Sequence, residues 1–393
     1  MPKLSVRDLP IKGKKIFVRV DFNVPLDENL NITDDTRVRA SLPTIKYILE
    51  NGGIPILASH LGRPKGKIDK RFSLTPVAYR LEQLLDCNVL FAPDCVGDEV
   101  KKMVQDLKPG DLLLLENVRF HAEEEKNDPN FSKELAALAD LYVDDAFGSA
   151  HRAHASVEGI AHHFENPAGG FLMEKELKYL EGSLKNPQRP LLAIMGGAKV
   201  STKIGVIKNL LNKVDNLVIG GGMCFTFLKA KGYNIGTSLC EDEFLDEAKT
   251  LLSNTKIYLP VDVVIAKEPK PGNPTRTVDA SSIPADYCGV DNGEQTTNEI
   301  GTLIQKAKTI VWNGPMGIFE IDEFSKGTAK VAHTIAEATA AGAISIVGGG
   351  DTIAALSKFK LLDKVSHAST GGGASLEFLE GKELPGIKVL KEK

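Results

Sequence analysis

The hydrophobic pattern is built from short, mostly apolar runs. KIFVRV (15–20), IPILAS (54–59), DLLLLENV (111–118), LYVDDA (141–146), PLLAIMGG (190–197), NLVIGGG (216–222), TIVWNG (309–314) and ISIVGGG (344–350) are β-branched or leucine-rich and end in polar or glycine residues. Such runs suit strands buried on both faces of a parallel sheet. Helix-length amphipathic stretches lie between them. In TRVRASLPTIKYILENGG (36–53), Leu42, Ile45, Ile48 and Leu49 share one face, and Gly52-Gly53 ends the pattern. The alternation of strand and helix predicts α/β units wound on both sheet faces.

At 393 residues the chain is too long for one ordinary core, and two domains are expected. The best boundary is 166–190, which opens with Asn-Pro and Gly-Gly and closes with Asn-Pro and a second proline. Between them a mostly polar helix over 171–188 is predicted, with Leu177, Leu180 and Leu184 on a narrow apolar stripe. It reads as a bridge between two doubly wound parallel-sheet domains of similar size, 1–170 and 189–374.

Composition changes this picture little. Hydrophobic residues make up 42% and charged residues 25%, so a sizeable core can be buried. A formal net charge of -4 argues against general attraction to nucleic acid or to an anionic membrane. The five cysteines are odd in number and form no C-x-x-C, which fits reduced thiols. The N-terminal segment has no apolar run of signal-peptide length, and nothing approaches the ~20 apolar residues that span a bilayer. A cytoplasmic protein is expected.

Candidate chemistry collects at the ends of the apolar runs. Gly-Gly-Gly occurs at 220–222, 348–350 and 371–373, and Gly-Gly at 196–197. Helix-like sequence follows each. Glycine there lets a ligand approach the backbone, and the N–H groups of the next helix favour an anion. One such cluster could be an ordinary turn; four in one half point to a phosphate-rich ligand. No P-loop signature and no G-x-G-x-x-G is present. Asp21-Phe22-Asn23 resembles a protein-kinase metal motif only superficially, since no H-R-D loop accompanies it. In GGAKVSTK, Lys199 and Lys203 are predicted on one face of a starting helix. Two solvated surface lysines would read the same way. Asp351, after the second triplet, suits either a helix N-cap or a carboxylate held toward Mg²⁺.

Basic residues gather in the first half. Six of the eight histidines lie between positions 60 and 163. His60 and Arg63, Arg119, and His151, Arg152 and His154 each follow a predicted strand, and Arg37 follows the first strand and its loop. Strand ends of one parallel sheet lie together, so these side chains could converge on an acidic ligand, with arginine forks gripping carboxylate or phosphate. The alternatives are unrelated surface charges or a metal site. The neighbouring arginines and missing ligand spacings disfavour the metal.

With these residues in view, the chain resembles the phosphoglycerate kinase family from end to end. The matching blocks are RVDFNVP (19–25), SHLGRPKG (59–66), LLENVRF (114–120), DAFGSAHRAHAS (145–156), GGAKVSTK (196–203), VWNGPMGIFE (311–320), GGGDT (348–352) and STGGGASLEFLEGKELPG (369–386). The resemblance implies reversible transfer of the 1-phosphoryl group of 1,3-bisphosphoglycerate to MgADP, giving 3-phosphoglycerate and MgATP. It further implies direct in-line transfer after hinge-bending closure, in a cytoplasmic monomer of glycolysis and gluconeogenesis. His60, Arg63, Arg119 and Arg152 would hold the 3-phosphate, and Asp21 and Asn23 the glycerate end. Arg37 and Lys199 would face the transferring group. Lys203 would hold nucleotide phosphates, Asp351 the magnesium and Glu320 the ribose. Gly197, Asn313, Gly349, Gly350 and Thr352 would line the nucleotide site, and Gly371, Gly372 and Gly373 would present N–H groups to the moving phosphoryl. Residues 375–393 would return to the first domain. One segment departs from the family pattern: Asp291-Asn292-Gly293-Glu294-Gln295-Thr296 stands where Asp-Ile-Gly-Pro-x-Thr is usual.

Two rivals predict different behaviour. A nicotinamide dehydrogenase would bind reduced cofactor, and a non-catalytic anion-binding scaffold would bind phosphate without turnover.

Overall fold

A computed structural model describes residues 2–393. The chain forms two compact units: residues 1–178 with 383–393, and residues 179–382. The boundary falls inside the helix Phe171–Lys185, which carries chain from one unit into the other. The return to the first unit begins at Glu383, later than the expected 375. The reason is local: the helix Gly373–Leu379 stays with the second unit, where Asn209 donates to the Leu379 carbonyl at 2.6 Å.

The first unit is built on strands β1 (Lys15–Arg19), β2 (Ile54–Ala58), β3 (Val89–Phe91), β4 (Leu112–Leu114), β5 (Leu141–Asp144) and β6 (Ala168–Gly169). All pair in parallel, in the order β3-β4-β2-β1-β5-β6. Every residue of β2 and β4 is buried. Two apolar clusters explain why. One holds Ile16, Val18 and Leu57, with Ile45 and Ile48 of the helix Thr36–Glu50; the other holds Phe17, Ile56 and Tyr142. Successive residues of β1 thus pack to opposite sides, and neither sheet face is left to water. The C-terminal segment seals this unit: the Leu4 amide donates to the Lys391 carbonyl and the Gly386 amide to that of Ala150.

The second unit contains β7 (Leu191–Met195), β8 (Asn216–Ile219), β9 (Asn234–Ile235), β10 (Ile257–Tyr258), β11 (Asp262–Ala266), β12 (Arg276–Asp279), β13 (Ser282–Ile283), β14 (Cys288–Asn292), β15 (Thr309–Asn313), β16 (Ile344–Gly348) and β17 (His367–Ala368). Its main sheet is again parallel, ordered β10-β8-β7-β15-β16-β17. Trp312 is fully buried in its core with Ile194, Ile300 and Ile335. An antiparallel sheet, β12-β11-β14, stands beside it and was not expected from the sequence. All eight apolar runs become parallel strands. The architecture is two parallel-sheet α/β domains.

Candidate active site

In the first unit the predicted basic residues gather beyond the carboxyl ends of β1, β2, β4 and β5. Asp21 lies two residues past β1 and is nearly buried; its Oδ2 accepts from Arg37 Nη1 at 2.6 Å. Asn23 Oδ1 accepts from the Gly62 amide at 2.9 Å, and Arg119 Nη1 donates to the Gly62 carbonyl at 3.0 Å. These bonds tie the loops after three strands into one basin. His60, 5% exposed, stands within it. Burial, then the charges of Arg19, Arg119, Arg37 and His154, pushes its pKa well below the ordinary imidazole value. His154 falls to about 3 for the same reasons, burial first and then Arg119, Arg19, Arg152 and His151. Both rings are therefore neutral donors in a cationic setting. Arg152 is exposed and reaches the basin electrostatically through His154. Arg63 is also exposed and joins none of these contacts.

The sequence reading missed Arg19. It is fully buried at the end of β1 and bonds Ser156 Oγ at 2.8 Å and His60 Nδ1 at 3.2 Å. Ser156 in turn is held by the buried Glu124, which accepts from its hydroxyl at 2.6 Å and its amide at 2.9 Å. Neither stands out in the sequence: Arg19 is one polar residue in an apolar run, and Glu124 is the middle of three consecutive glutamates, which read as a solvated helix face.

In the second unit the four glycine clusters lie at the carboxyl ends of β7, β8, β16 and β17, as ligand-binding turns of open α/β sheets do. Two of them touch. Gly221 has φ +64°, and a Cβ there would stand 2.4 Å from the Gly197 nitrogen. No other residue fits, and the close approach opens a cavity of about 400 Å³. Its walls include Gly197, Gly222, Phe225, Leu239, Val290 and Met316, with Glu320 and Asp351 also lining it. A largely apolar cavity with a few polar groups on its wall has the character of a small-molecule site.

The lysines correct an expectation. The helix after the first glycine pair starts at Ile204, beyond both of them, so Lys199 and Lys203 do not share a helical face. Lys199 is exposed. Lys203 is buried and folds back, its Nζ donating to the Gly196 carbonyl at 2.7 Å, the Asn313 carbonyl at 2.9 Å and Asn313 Oδ1 at 2.7 Å. Burial lowers its pKa to about 8, with Asp351 opposing. Asn313 ends β15, and its buried Nδ2 has no hydrogen-bond partner among the described residues, although it lies beside Gly349. Thr352 Oγ1 accepts from the Gly314 amide at 2.7 Å. Asp351 is exposed in the first turn of the helix Gly350–Lys358 and acts electrostatically on Lys203. Gly371 bonds Ser369 Oγ, Gly372 takes φ +50°, and Gly373 begins the next helix. Gly293 serves another purpose. A Cβ on it would meet the Asp262 carboxylate at 2.2 Å, and that carboxylate caps the helix Glu294–Lys306. Gly293 is not among the residues lining the cavity, whereas its neighbour Asn292 is.

A cationic basin on one parallel sheet and a glycine-turned cavity on another point to the class: an α/β phosphotransferase. Residues 6–382 match the model of the family described as phosphoglycerate kinase. The phosphoglycerate kinase of Chlorobaculum tepidum is 54% identical over 397 residues, covering 100% of both chains. "Phosphoglycerate kinase 3, cytosolic" of Arabidopsis thaliana is 54% identical, covering 99% of this chain and 98% of its own. The solved structure of phosphoglycerate kinase from Coxiella burnetii superposes with a TM-score of 0.89 at 43% identity, covering 99% and 98% of the two chains. The chain belongs to the phosphoglycerate kinase family. It is a kinase and transferase, and its glycolytic role follows from the family.

Proposed function

We propose that the enzyme reversibly transfers the 1-phosphoryl group of 1,3-bisphosphoglycerate to MgADP, with the acid held by the first unit and the nucleotide by the second. The observation that carries this reading is segregation: the cationic basin is confined to one unit and the glycine-turned cavity to the other. His60, Arg119 and Arg152, joined by Arg63 on binding, hold the 3-phosphate; Asp21 and Asn23 hold the glycerate end. Arg37 and Lys199 neutralise charge on the equatorial oxygens of the moving group. Phosphoryl transfer needs in-line positioning and charge stabilisation more than covalent help, so no nucleophilic dyad is required.

On the nucleotide side, Glu320 holds the ribose, and Gly197, Lys203, Asn313, Gly349, Gly350 and Thr352 hold the phosphates. The orphaned Asn313 amide supports this, because a buried donor without a partner awaits an acceptor. Gly371, Gly372 and Gly373 supply N–H groups to the transferring phosphoryl. The Asp351 carboxylate, a hard oxygen donor at the cavity edge, fits Mg²⁺ held jointly with nucleotide phosphates. Bound there, the ion would supply charge neutralisation. In this reading the ligands meet by hinge bending, which excludes water from the acyl phosphate. A monomeric state and a cytoplasmic location belong to the same proposal; the Arabidopsis relative is named as cytosolic. No helix among the described residues is long and apolar enough to cross a membrane.

A coupled assay with ATP, Mg²⁺ and 3-phosphoglycerate tests the proposal. Turnover is expected. A folded protein that binds phosphate without turnover would leave only the scaffold reading, and one that binds reduced nicotinamide would leave the dehydrogenase reading.

A further inference from the structure

His60 is held from behind by a group that can only donate. Arg19 and Ala58 are register partners at the ends of β1 and β2, and His60 follows Ala58 by two residues. This places the Arg19 guanidinium against the inner edge of the ring, with Nη2 3.2 Å from Nδ1. Guanidinium has five N–H donors and no acceptor. Nδ1 must therefore be the bare, accepting nitrogen, and the ring proton must sit on Nε2.

Arg19 is itself fixed on its remaining sides. Its Nε donates to Ser156 Oγ at 2.8 Å and its Nη1 to the Val20 carbonyl. Ser156 is clamped by the fully buried Glu124. Arg19 thus has its counter-charge one hydroxyl away and cannot swing aside without stranding that carboxylate.

We propose that Arg19 is a positioning residue that locks His60 as its neutral Nε2–H tautomer, so that the ring offers an anion one fixed N–H at constant charge. A protonated ring would need a hydrogen on Nδ1 pointing into a guanidinium. The largest other charged or titratable influences on His60 are Arg119 after β4, Arg37 on the helix Thr36–Glu50 and His154 after β5, while the Asp21 carboxylate of the same basin is taken up by Arg37. None of those three influences is a carboxylate that would stabilise imidazolium. The lock has a purpose in a basin already rich in permanent cations. An additional titrating charge would make acid binding swing with pH, whereas a neutral donor adds direction without charge. The consequence for the substrate rests on the proposed contact between His60 and the acid; the lock itself does not.

Long-range proton–nitrogen correlation spectra of the full chain with ¹⁵N-labelled histidine, free of ligand, test it directly. His60 is assigned by the signals lost in His60→Asn. An unprotonated Nδ1 and a protonated Nε2, unchanged from about pH 5.5 to 8, are expected. A ring protonated on Nδ1, or one titrating near its ordinary value of about 6.5, overturns the proposal. In Arg19→Met, the ring should titrate, and KM for 3-phosphoglycerate should rise about tenfold and become pH-dependent, with kcat changed much less. Arg19→Gln keeps an amide donor and should restore the Nε2–H signature. An unaltered ring in Arg19→Met, or a titrating ring in Arg19→Gln, sinks the lock. Should Arg19→Met not fold, the parent spectrum and Arg19→Gln decide. If the lock is present but His60→Asn binds 3-phosphoglycerate as tightly as the parent, the assigned grip of His60 fails while the lock stands.

Discussion

At the scale of single residues, two charged side chains with proposed roles in the transfer, Arg37 and Lys203, are held by the protein before any ligand arrives. Arg37 is bound to Asp21 at 2.6 Å, so its fork is oriented in advance. A pre-oriented cation that strengthens its contact as charge spreads in the transition state should act on kcat. Arg37→Ala is expected to lower kcat about a hundredfold with a smaller change in KM. Steady-state kinetics that found only a raised KM would show Arg37 to be a ground-state contact. Lys203 is held differently, donating to two carbonyls and an amide oxygen with its pKa lowered to about 8. Above that pH a growing share of the free enzyme carries neutral lysine. A polyphosphate beside it would raise the pKa again, so nucleotide binding near pH 8.5 should take up a fraction of a proton. Calorimetry of ADP binding in two buffers of different ionisation enthalpy measures this; an uptake of zero would separate Lys203 from the phosphates.

Among the elements, the segment around Gly293 keeps its glycine although its neighbours Asn292 and Glu294 depart from the family pattern, and the structure shows why. Gly293 has φ -74°, so it is not strained, but its missing side chain makes room for the Asp262 cap. Asp262 accepts from the Gln295 amide at 3.1 Å and the Thr296 amide at 2.7 Å, closing the first turn of the helix Glu294–Lys306. Gly293→Ala should cost about 1–3 kcal/mol by pushing the cap away, and Asp262→Ala about 1 kcal/mol by removing it. Urea denaturation of both variants decides; a Gly293→Ala protein as stable as its parent would mean the cap yields freely. Elements such as the eight parallel strands were legible because they are buried on both faces and so read as continuous apolar runs. The antiparallel β11, β12 and β14 were not. Here β12 is mostly exposed and reads as RTVD, a pattern indistinguishable from loop. The start of the helix at Ile204 was also hidden, because Val200-Ser201-Thr202 carries no breaker to separate a turn from a helical first turn. Likewise Arg19 was invisible as a site residue: its role depends on the register of β1 against β2, which no local pattern records.

For the whole molecule, the proposed division of labour should make the two units separable by experiment. Arg119 lies wholly within the first unit, so Arg119→Ala should weaken 3-phosphoglycerate binding about tenfold or more and leave ADP affinity nearly intact. Equal losses by direct titration would undo the division. The units should also respond differently to pH. In the first, burial raises Asp144 to about 7 and Asp145 to about 6, so the folded unit binds more protons there than the unfolded chain does. His60 and His154 do the reverse below about pH 6.5, since they stay neutral when folded and charge when unfolded. The two effects therefore oppose one another in the acid range. No such histidine balance operates on Asp291 in the second unit, which burial raises to about 7 against hydrogen bonds from the Gly327 and Asn292 amides. An acid whose pKa is raised on folding stabilises the fold at low pH, and that stability is lost as pH climbs from about 4 through the folded value. Asp291 should therefore contribute a decline of about 1.4 kcal/mol per pH unit across that window. The single tryptophan of the chain, Trp312, is fully buried in the second unit and reports its unfolding alone. Denaturation followed by Trp312 fluorescence should show Asp291→Asn gaining on the parent steadily as pH rises from 4.5 to 7. A stability difference that does not change with pH would mean that Asp291 is ionised in the folded enzyme throughout.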